Sequence, residues 1–203
     1  TRDYAEQTPR VVALLPNGEI DPAYGPVDVN GGISAIVPQP GGKAAIAGYF
    51  TMHDGAAAGR ISRLNPDGSR DLTFNSGHGF DLHVLALKPH PEGGLVAGGY
   101  FGHFDGTSRP FVAKLSPDGS LDTTFAPSMP YNSRVAYDLT ALPDGTVWAW
   151  GMFYNDSVVR IGPTGSTAAQ PLLLGSKSVN SVFLETSPDG RLILAGDWTS
   201  GGI

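Results

Sequence analysis

A hairpin-like segment recurs four times along the chain and constrains its fold more than any other feature. It reads Ala-Leu-Leu-Pro-Asn-Gly-Glu-Ile-Asp-Pro-Ala-Tyr at 13–24, Arg-Leu-Asn-Pro-Asp-Gly-Ser-Arg-Asp-Leu-Thr-Phe at 63–74 and Lys-Leu-Ser-Pro-Asp-Gly-Ser-Leu-Asp-Thr-Thr-Phe at 114–125. A worn fourth copy begins Arg-Ile-Gly-Pro-Thr-Gly-Ser at 160–166. The copies start 50, 51 and 46 residues apart. A second segment alternates with the first and closes at Gly48-Tyr49-Phe50, Gly99-Tyr100-Phe101, Gly151-Met152-Phe153 and Gly196-Asp197-Trp198. Two independent anchors holding one period identify stacked structural repeats.

Each segment has a physical reading. In the first, Leu14, Leu64, Leu115 and Ile161 end a strand, and a Pro/Gly turn follows in which Gly18, Gly68, Gly119 and Gly165 supply positive φ. The next strand runs to Tyr24, Phe74 or Phe125. In the second segment a short apolar strand (Ala35 to Val37, Leu85 to Leu87) meets a turn and returns as Ala44 to Phe50, Leu95 to Phe101, Val147 to Phe153 and Leu192 to Trp198. The returning strand is apolar on both faces, so it is expected to be covered on both sides. Gly48, Gly99, Gly151 and Gly196 mark sites where backbone or a ring approaches closely.

Four short strands per roughly 50 residues is the size of a β-propeller blade. The expected fold is all-β: a β-propeller, or an arc of one, of about four four-stranded blades in a single domain spanning 1–203, with repeat blocks near 13–50, 63–101, 114–153 and 160–198. The array begins on the hairpin segment and stops after the Gly-x-aromatic segment, so one blade is split between the termini. Two outcomes fit this phase: a closed four-bladed ring, or a fragment of a longer array.

The composite pattern, an Ala-Gly-x-Phe strand followed by Arg-Leu-Asn-Pro-Asp-Gly-Ser-x-Asp-x-Thr-Phe, resembles the delta-60 repeat family of β-propellers. The resemblance is closest over residues 34–125 and fades where Thr164 replaces the turn Asp and Ala168 replaces the Asp of Asp-x-x-Phe. It implies long arrays in bacterial surface or secreted proteins and in some phage structural proteins. It brings no catalytic residues.

Composition agrees with many short strands and tight turns: Gly 28 and Pro 17 in 203 residues. A net charge of −6 gives no electrostatic footprint for nucleic acid or an anionic membrane. The absence of Cys excludes disulfides, thiolate metal sites and thiol nucleophiles. No apolar run reaches the ~18 residues of a membrane span, and no signal peptide is visible. The chain starts at Thr1 without Met, which suits a processed, trimmed or partly represented protein.

Candidate sites divide into repeated and non-repeated residues. Asp21, Asp71 and Asp122 recur three residues before an aromatic, as turn caps or, less simply, as calcium or sugar ligands. His53-Asp54-Gly55 and His103-Phe104-Asp105-Gly106 have donors for a divalent ion, but the third copy, Tyr154-Asn155-Asp156, has no His, and turn formation accounts for them. Trp148 and Trp150 share one strand face where other copies carry Ala45 and Ala47, or Val96 and Gly98. They are either inter-blade core or a stacking platform for a sugar or partner. Tyr131, Arg134 and Tyr137, in a divergent loop, and the stretch 167–178 complete the candidate binding residues.

These features predict a recognition, adhesion or assembly module of a larger extracellular, cell-surface or virion (phage tail-like) protein. Its expected partner is a protein, a surface glycan or neighbouring chains, with no cofactor, metal or nucleic acid and no membrane insertion. The chain is expected not to be an enzyme. The alternatives are a lyase or glycosidase using a central channel, which requires non-repeated polar residues converging from several blades, and a structural spacer.

Overall fold

The computed structural model describes residues 11–130, 132–153, 157–167, 172–173, 182–187 and 189–196. These residues are all-β apart from a 3₁₀ turn at Pro40–Gly42. Strands β1 (Ile33–Gln39) and β2 (Lys43–Gly48) are joined by that turn. A small hairpin of β3 (Met52–His53) and β4 (Ala56–Ala57) then leads to β5 (Ile61–Leu64). The second repeat copies this order in β6 (Val84–Pro89), β7 (Leu95–Gly99), the hairpin β8 (His103–Phe104) with β9 (Thr107–Ser108), and β10 (Val112–Leu115). The third consists of β11 (Ala136–Ala141), β12 (Val147–Gly151), β13 (Ser157–Ile161) and β14 (Leu172–Leu173). Strands β15 (Val182–Thr186) and β16 (Leu192–Gly196) form a fourth, two-stranded sheet.

The sheets are antiparallel meanders stacked face to face. Strand β6 packs on β1 and β2, β11 on β6 and β7, and β15 on β11 and β12. The first strand of each meander is therefore innermost, the arrangement of propeller blades. Two of the strands apolar on both faces are covered on both sides: Leu95 to Gly99 are all buried, as are Ala45 to Gly48. The fourth is not, since Ile193, Ala195 and Gly196 of β16 are exposed where no further sheet packs on it among the described residues.

Among the described residues only the third sheet has a fourth strand, the two-residue β14. In the first two, the fourth strand shrinks to single bridges, Leu64 to Arg70 and Leu115 to Leu121. The cause lies in the next residues. Asp71 Oδ1 accepts from Thr73 N at 3.0 Å and Asp122 Oδ1 from Thr124 N at 2.9 Å, so each carboxylate folds the chain into a turn after one ladder pair. Asp21 makes the same bond to Ala23 N at 2.9 Å. Asp71 Oδ2 also takes Arg63 Nε at 2.6 Å and Lys43 Nζ at 2.8 Å, and Lys114 Nζ lies 3.0 Å from Asp122 Oδ2.

Adjacent repeats are latched by backbone. Gly25 N donates to Asp67 O at 2.7 Å, Asn75 N to Asp118 O at 2.6 Å and Ala126 N to Thr164 O at 3.2 Å. Gly68 and Gly119 sit in these turns at φ 84° and 92°, against the rings of Tyr24 and Phe74; Gly18 and Gly165 have the same sign of φ. At Gly48, Gly99 and Gly151 a Cβ would overlap the carbonyl oxygens of Gly32, His83 and Val135, so the close approach is between first and second strands of one sheet. Gly196 holds the same register position, opposite Val182, in extended backbone.

At the start of the described chain, residues 11–20 contribute only an outer hairpin, bridged at Leu14 and Ile20; at its end, β15 and β16 contribute only an inner strand pair. Among the described residues no sheet contains both. Trp198 and Ile203 lie outside those residues.

Candidate functional site

The seam between the third and fourth sheets departs from the others. Ladder register aligns Trp148 with Val96 and Ala45, and Trp150 with Gly98 and Ala47. At the preceding seam Gly98 leaves room for Leu139, whose Cδ2 a Cβ there would meet at 2.8 Å. Trp150 instead fills its seam with an indole, buried among Val158, Val182 and Leu184. Trp148 is half-buried beside it, and the Tyr137 ring lies 4.9 Å from Trp150 between centroids. The inter-blade position of Trp150 is thus a core position, with Tyr137 and Trp148 at its margin. Trp150 Nε1 is buried and has no hydrogen-bond partner among the described residues.

Three further side chains join this cluster, none of them singled out by sequence. Asp138 Oδ2 accepts from Leu184 N at 2.8 Å, linking the two sheets. Lys88 Nζ, from the second sheet, lies 3.0 Å from Glu185 Oε2 on the fourth. Burial pushes the Asp138 carboxyl above its ordinary range, against the opposing pull of the Leu184 and Leu139 amides and Lys88. The hydrogen bond from Lys88 holds Glu185 below its ordinary range.

Asp138 interrupts the repeat, and the position shared by Lys88 and Glu185 differs in every copy. Asp138 occupies the register position of Ala35, Ala86 and Phe183, and Lys88 that of Val37, Thr140 and Glu185. Tyr137 sits in the register shift between Ala136 and Asp138, where the earlier repeats place Ser34 and Leu85. That loss of repetition at aligned positions is the signal by which the sequence could have exposed them. Arg134 lies ahead of β11, its N–H donating to Met152 O at 3.0 Å, and takes no part in the Asp138 and Lys88 bonds. Tyr131, the loop 154–156 and most of 167–178 lie outside the described residues.

The histidines pair separately. His78 Nδ1 is 2.8 Å from Asp105 Oδ1, His103 Nδ1 is 2.8 Å from Asp81 Oδ2, and His53 Nδ1 is 2.8 Å from the Ser62 hydroxyl. Among the described residues no group of three or more His, Asp or Glu side chains could hold a metal ion.

Comparison with known proteins agrees with this architecture. Residues 39–74 and 90–125 match the family model described as "Domain of unknown function (DUF5122) beta-propeller". The repeats are those of a β-propeller. The match supports a β-propeller repeat family and is not specific to the delta-60 family. Among curated proteins none matches the sequence.

Three solved structures are similar in fold. One is described as "the putative gluconolactonase in protein family" (17% identity, 90% of this chain, 62% of that one, TM-score 0.49). Another is the WD40 β-propeller domain of Doa1 (15% identity, 76% and 56%, TM-score 0.39). The third is PorZ, a bacterial surface component of the type-IX secretion system of Porphyromonas gingivalis (12% identity, 94% and 32%, TM-score 0.45). The chain spans less than two thirds of the length of each.

The expectation that the chain is not an enzyme is corrected by the first of these. That structure is described as a putative gluconolactonase. The physical reason is that propeller sites gather residues from separate blades, and such residues leave no local motif in the sequence.

Proposed function

We propose that this chain is a recognition module of a larger extracellular or virion protein and contacts its ligand at the seam between the third and fourth sheets. One observation carries the reading: the Tyr137 ring lies against the Trp150 indole, Asp138 accepts from the Leu184 amide beside it, and Lys88 and Glu185, whose charges both act on Asp138, pair with each other. A module that only propagated its own stacking would need the small and apolar residues of the other seams. Aromatic faces beside carboxyl and ammonium groups suit a sugar ring, whose C–H face stacks on an aromatic while its hydroxyls exchange hydrogen bonds with charged groups. A surface glycan is therefore the favoured ligand.

The test is binding of the purified chain to an array of bacterial surface polysaccharides, with Lys88→Ala and Glu185→Ala run in parallel. Both residues are exposed enough to replace without disturbing the core. Retention of a defined polysaccharide, weakened several-fold by either variant, supports the proposal; equal binding by all three chains refutes it.

A second reading places glycan cleavage at the same seam, and Asp138 favours it. Its carboxyl is shifted upward by burial and stands near a second carboxylate, Glu185, the pattern from which acid and base roles are drawn. Release of reducing ends from the bound polysaccharide, abolished by Asp138→Asn, would select this reading over binding alone.

A further inference from the structure

The turn from β6 to β7 carries a buried histidine where the aligned turns have residues without a proton to exchange near neutral pH. His90 follows the ladder pair Pro89–Leu95, and by register its counterparts are Gln39, Leu142 and Ser187. The turns close alike: His90 N donates to Gly94 O at 2.9 Å, Leu142 N to Thr146 O at 2.7 Å and Ser187 N to Arg191 O at 2.9 Å. An imidazole is therefore not needed to form this turn, yet the His90 side chain is 1% exposed.

The ring bridges two sheets. A Cβ built on Gly145, in the turn from β11 to β12, would lie 3.8 Å from its Cε1. Nδ1 accepts from Glu92 N at 3.3 Å, which places the proton of the neutral ring on Nε2. Nε2 is buried and has no hydrogen-bond partner among the described residues. The groups that act on the ring are Lys114 of β10, Glu92 of its own turn, Asp122 after β10 and the Gly145 carbonyl of the third sheet. Glu92 Oε2 lies 3.7 Å from Nδ1, but it is engaged by Lys114 Nζ, which Asp122 Oδ2 also holds at 3.0 Å.

We infer that His90 makes the contact between the second and third sheets an acid-sensitive joint, closed by the neutral imidazole and opened by the imidazolium. A second proton sets an N–H at Nδ1 against the Glu92 N–H, so the bond that seats the ring is lost. It also adds a cation beside Lys114 in a place closed to water. Release of the ring relieves both conflicts and parts the turn at 90–94 from the turn at Gly145. Burial and Lys114 hold the imidazole below its ordinary range, against Glu92, the Gly145 carbonyl and Asp122. A histidine lowered in this way costs nothing above its unfolded value of about 6.5 and destabilises the joint increasingly as pH falls from there toward the folded value.

Hydrogen–deuterium exchange at pH 7.5 and 5.5, corrected for the intrinsic pH dependence of exchange, tests this on the unaltered chain, His90→Gln and His90→Leu. The two variants place at the joint the side chains of the first and third sheets. A local readout is needed because His53 and Asp138, elsewhere in the stack, also have shifted values. In the unaltered chain, protection of the turns at 90–94 and 142–146 should fall several-fold at pH 5.5, while the aligned turn at 39–43 keeps its protection. In both variants protection of all three turns should be the same at the two pH values. Unchanged protection in the unaltered chain would overturn the inference. So would an equal fall in the variants, or a fall spread evenly over all the sheets.

Discussion

Asp138 Oδ2 accepts the Leu184 N–H at 2.8 Å, so a carboxyl of the third sheet satisfies a backbone donor of the fourth. Burial raises the pKa of this carboxyl, which means that the folded chain favours its protonated form. The cost of ionising it is full above the raised folded value and is relieved as pH falls toward the ordinary carboxyl range. Asp138→Asn keeps an acceptor for Leu184 and removes that cost, so it should leave stability at pH 7 unchanged or slightly higher. Asp138→Ala leaves the amide unpaired and should cost about 1–3 kcal/mol. Urea denaturation of both variants at pH 7 checks the contrast.

The motif carboxylates behave in the opposite sense. Burial alone would raise Asp122, but the Thr124 hydroxyl and amide and the Lys114 ammonium outweigh it and hold the group at about 2. Asp71 is lowered further, against the same burial, by Lys43, Thr73 and Arg63. A depressed folded pKa contributes stability that is present above the unfolded value of about 4 and is lost as pH falls through the folded value. The denaturation midpoint should therefore drop steeply between about pH 4 and pH 2, with a shallower drop in Asp122→Asn. At neutral pH Asp71→Ala, which takes the carboxylate from the buried Arg63 and leaves it only the Pro117 carbonyl and the Thr73 hydroxyl, should cost about 3–5 kcal/mol.

The repeated glycines separate into two kinds of requirement. Gly151 has no room for a Cβ, because the Val135 carbonyl occupies that space, and Gly151→Ala should cost about 1–3 kcal/mol or prevent folding. Gly18 meets nothing within 4 Å but sits at φ 87°, so Gly18→Ala should cost only the backbone strain of about 1–2 kcal/mol. Thermal melts of the two variants give the order.

Architecture was legible because the same physical demand recurs. The turn glycines at 68 and 119, the packed glycines at 48 and 99 and the aspartates at 71 and 122 each appear at one period, so the meander and its stacking could be read before any coordinates. The truncated fourth strand was not legible, since Arg70 and Leu121 look like strand residues until the Asp71 and Asp122 turns are seen to end the ladder. The site was half legible. Trp148 and Trp150 stand out as large residues where other copies carry smaller ones, and Tyr137 by its divergent loop, but Lys88 and Glu185 lie 97 positions apart, and only stacking brings them to 3.0 Å. Asp138 resembles an ordinary polar strand residue until its ladder partner, Trp150, fixes the face it shares.

The most direct test of the seam as a ligand site is a fluorescence titration with the retained polysaccharide, using the indoles of Trp148 and Trp150 as reporters. Tyr137→Ala and Tyr100→Ala are compared with the unaltered chain. Tyr100 is an exposed aromatic of the second repeat and lies outside the cluster. Affinity tenfold or more weaker in Tyr137→Ala, with Tyr100→Ala and the melting temperature unchanged, is the predicted result. Equal affinity in the two variants would contradict the assignment of the seam.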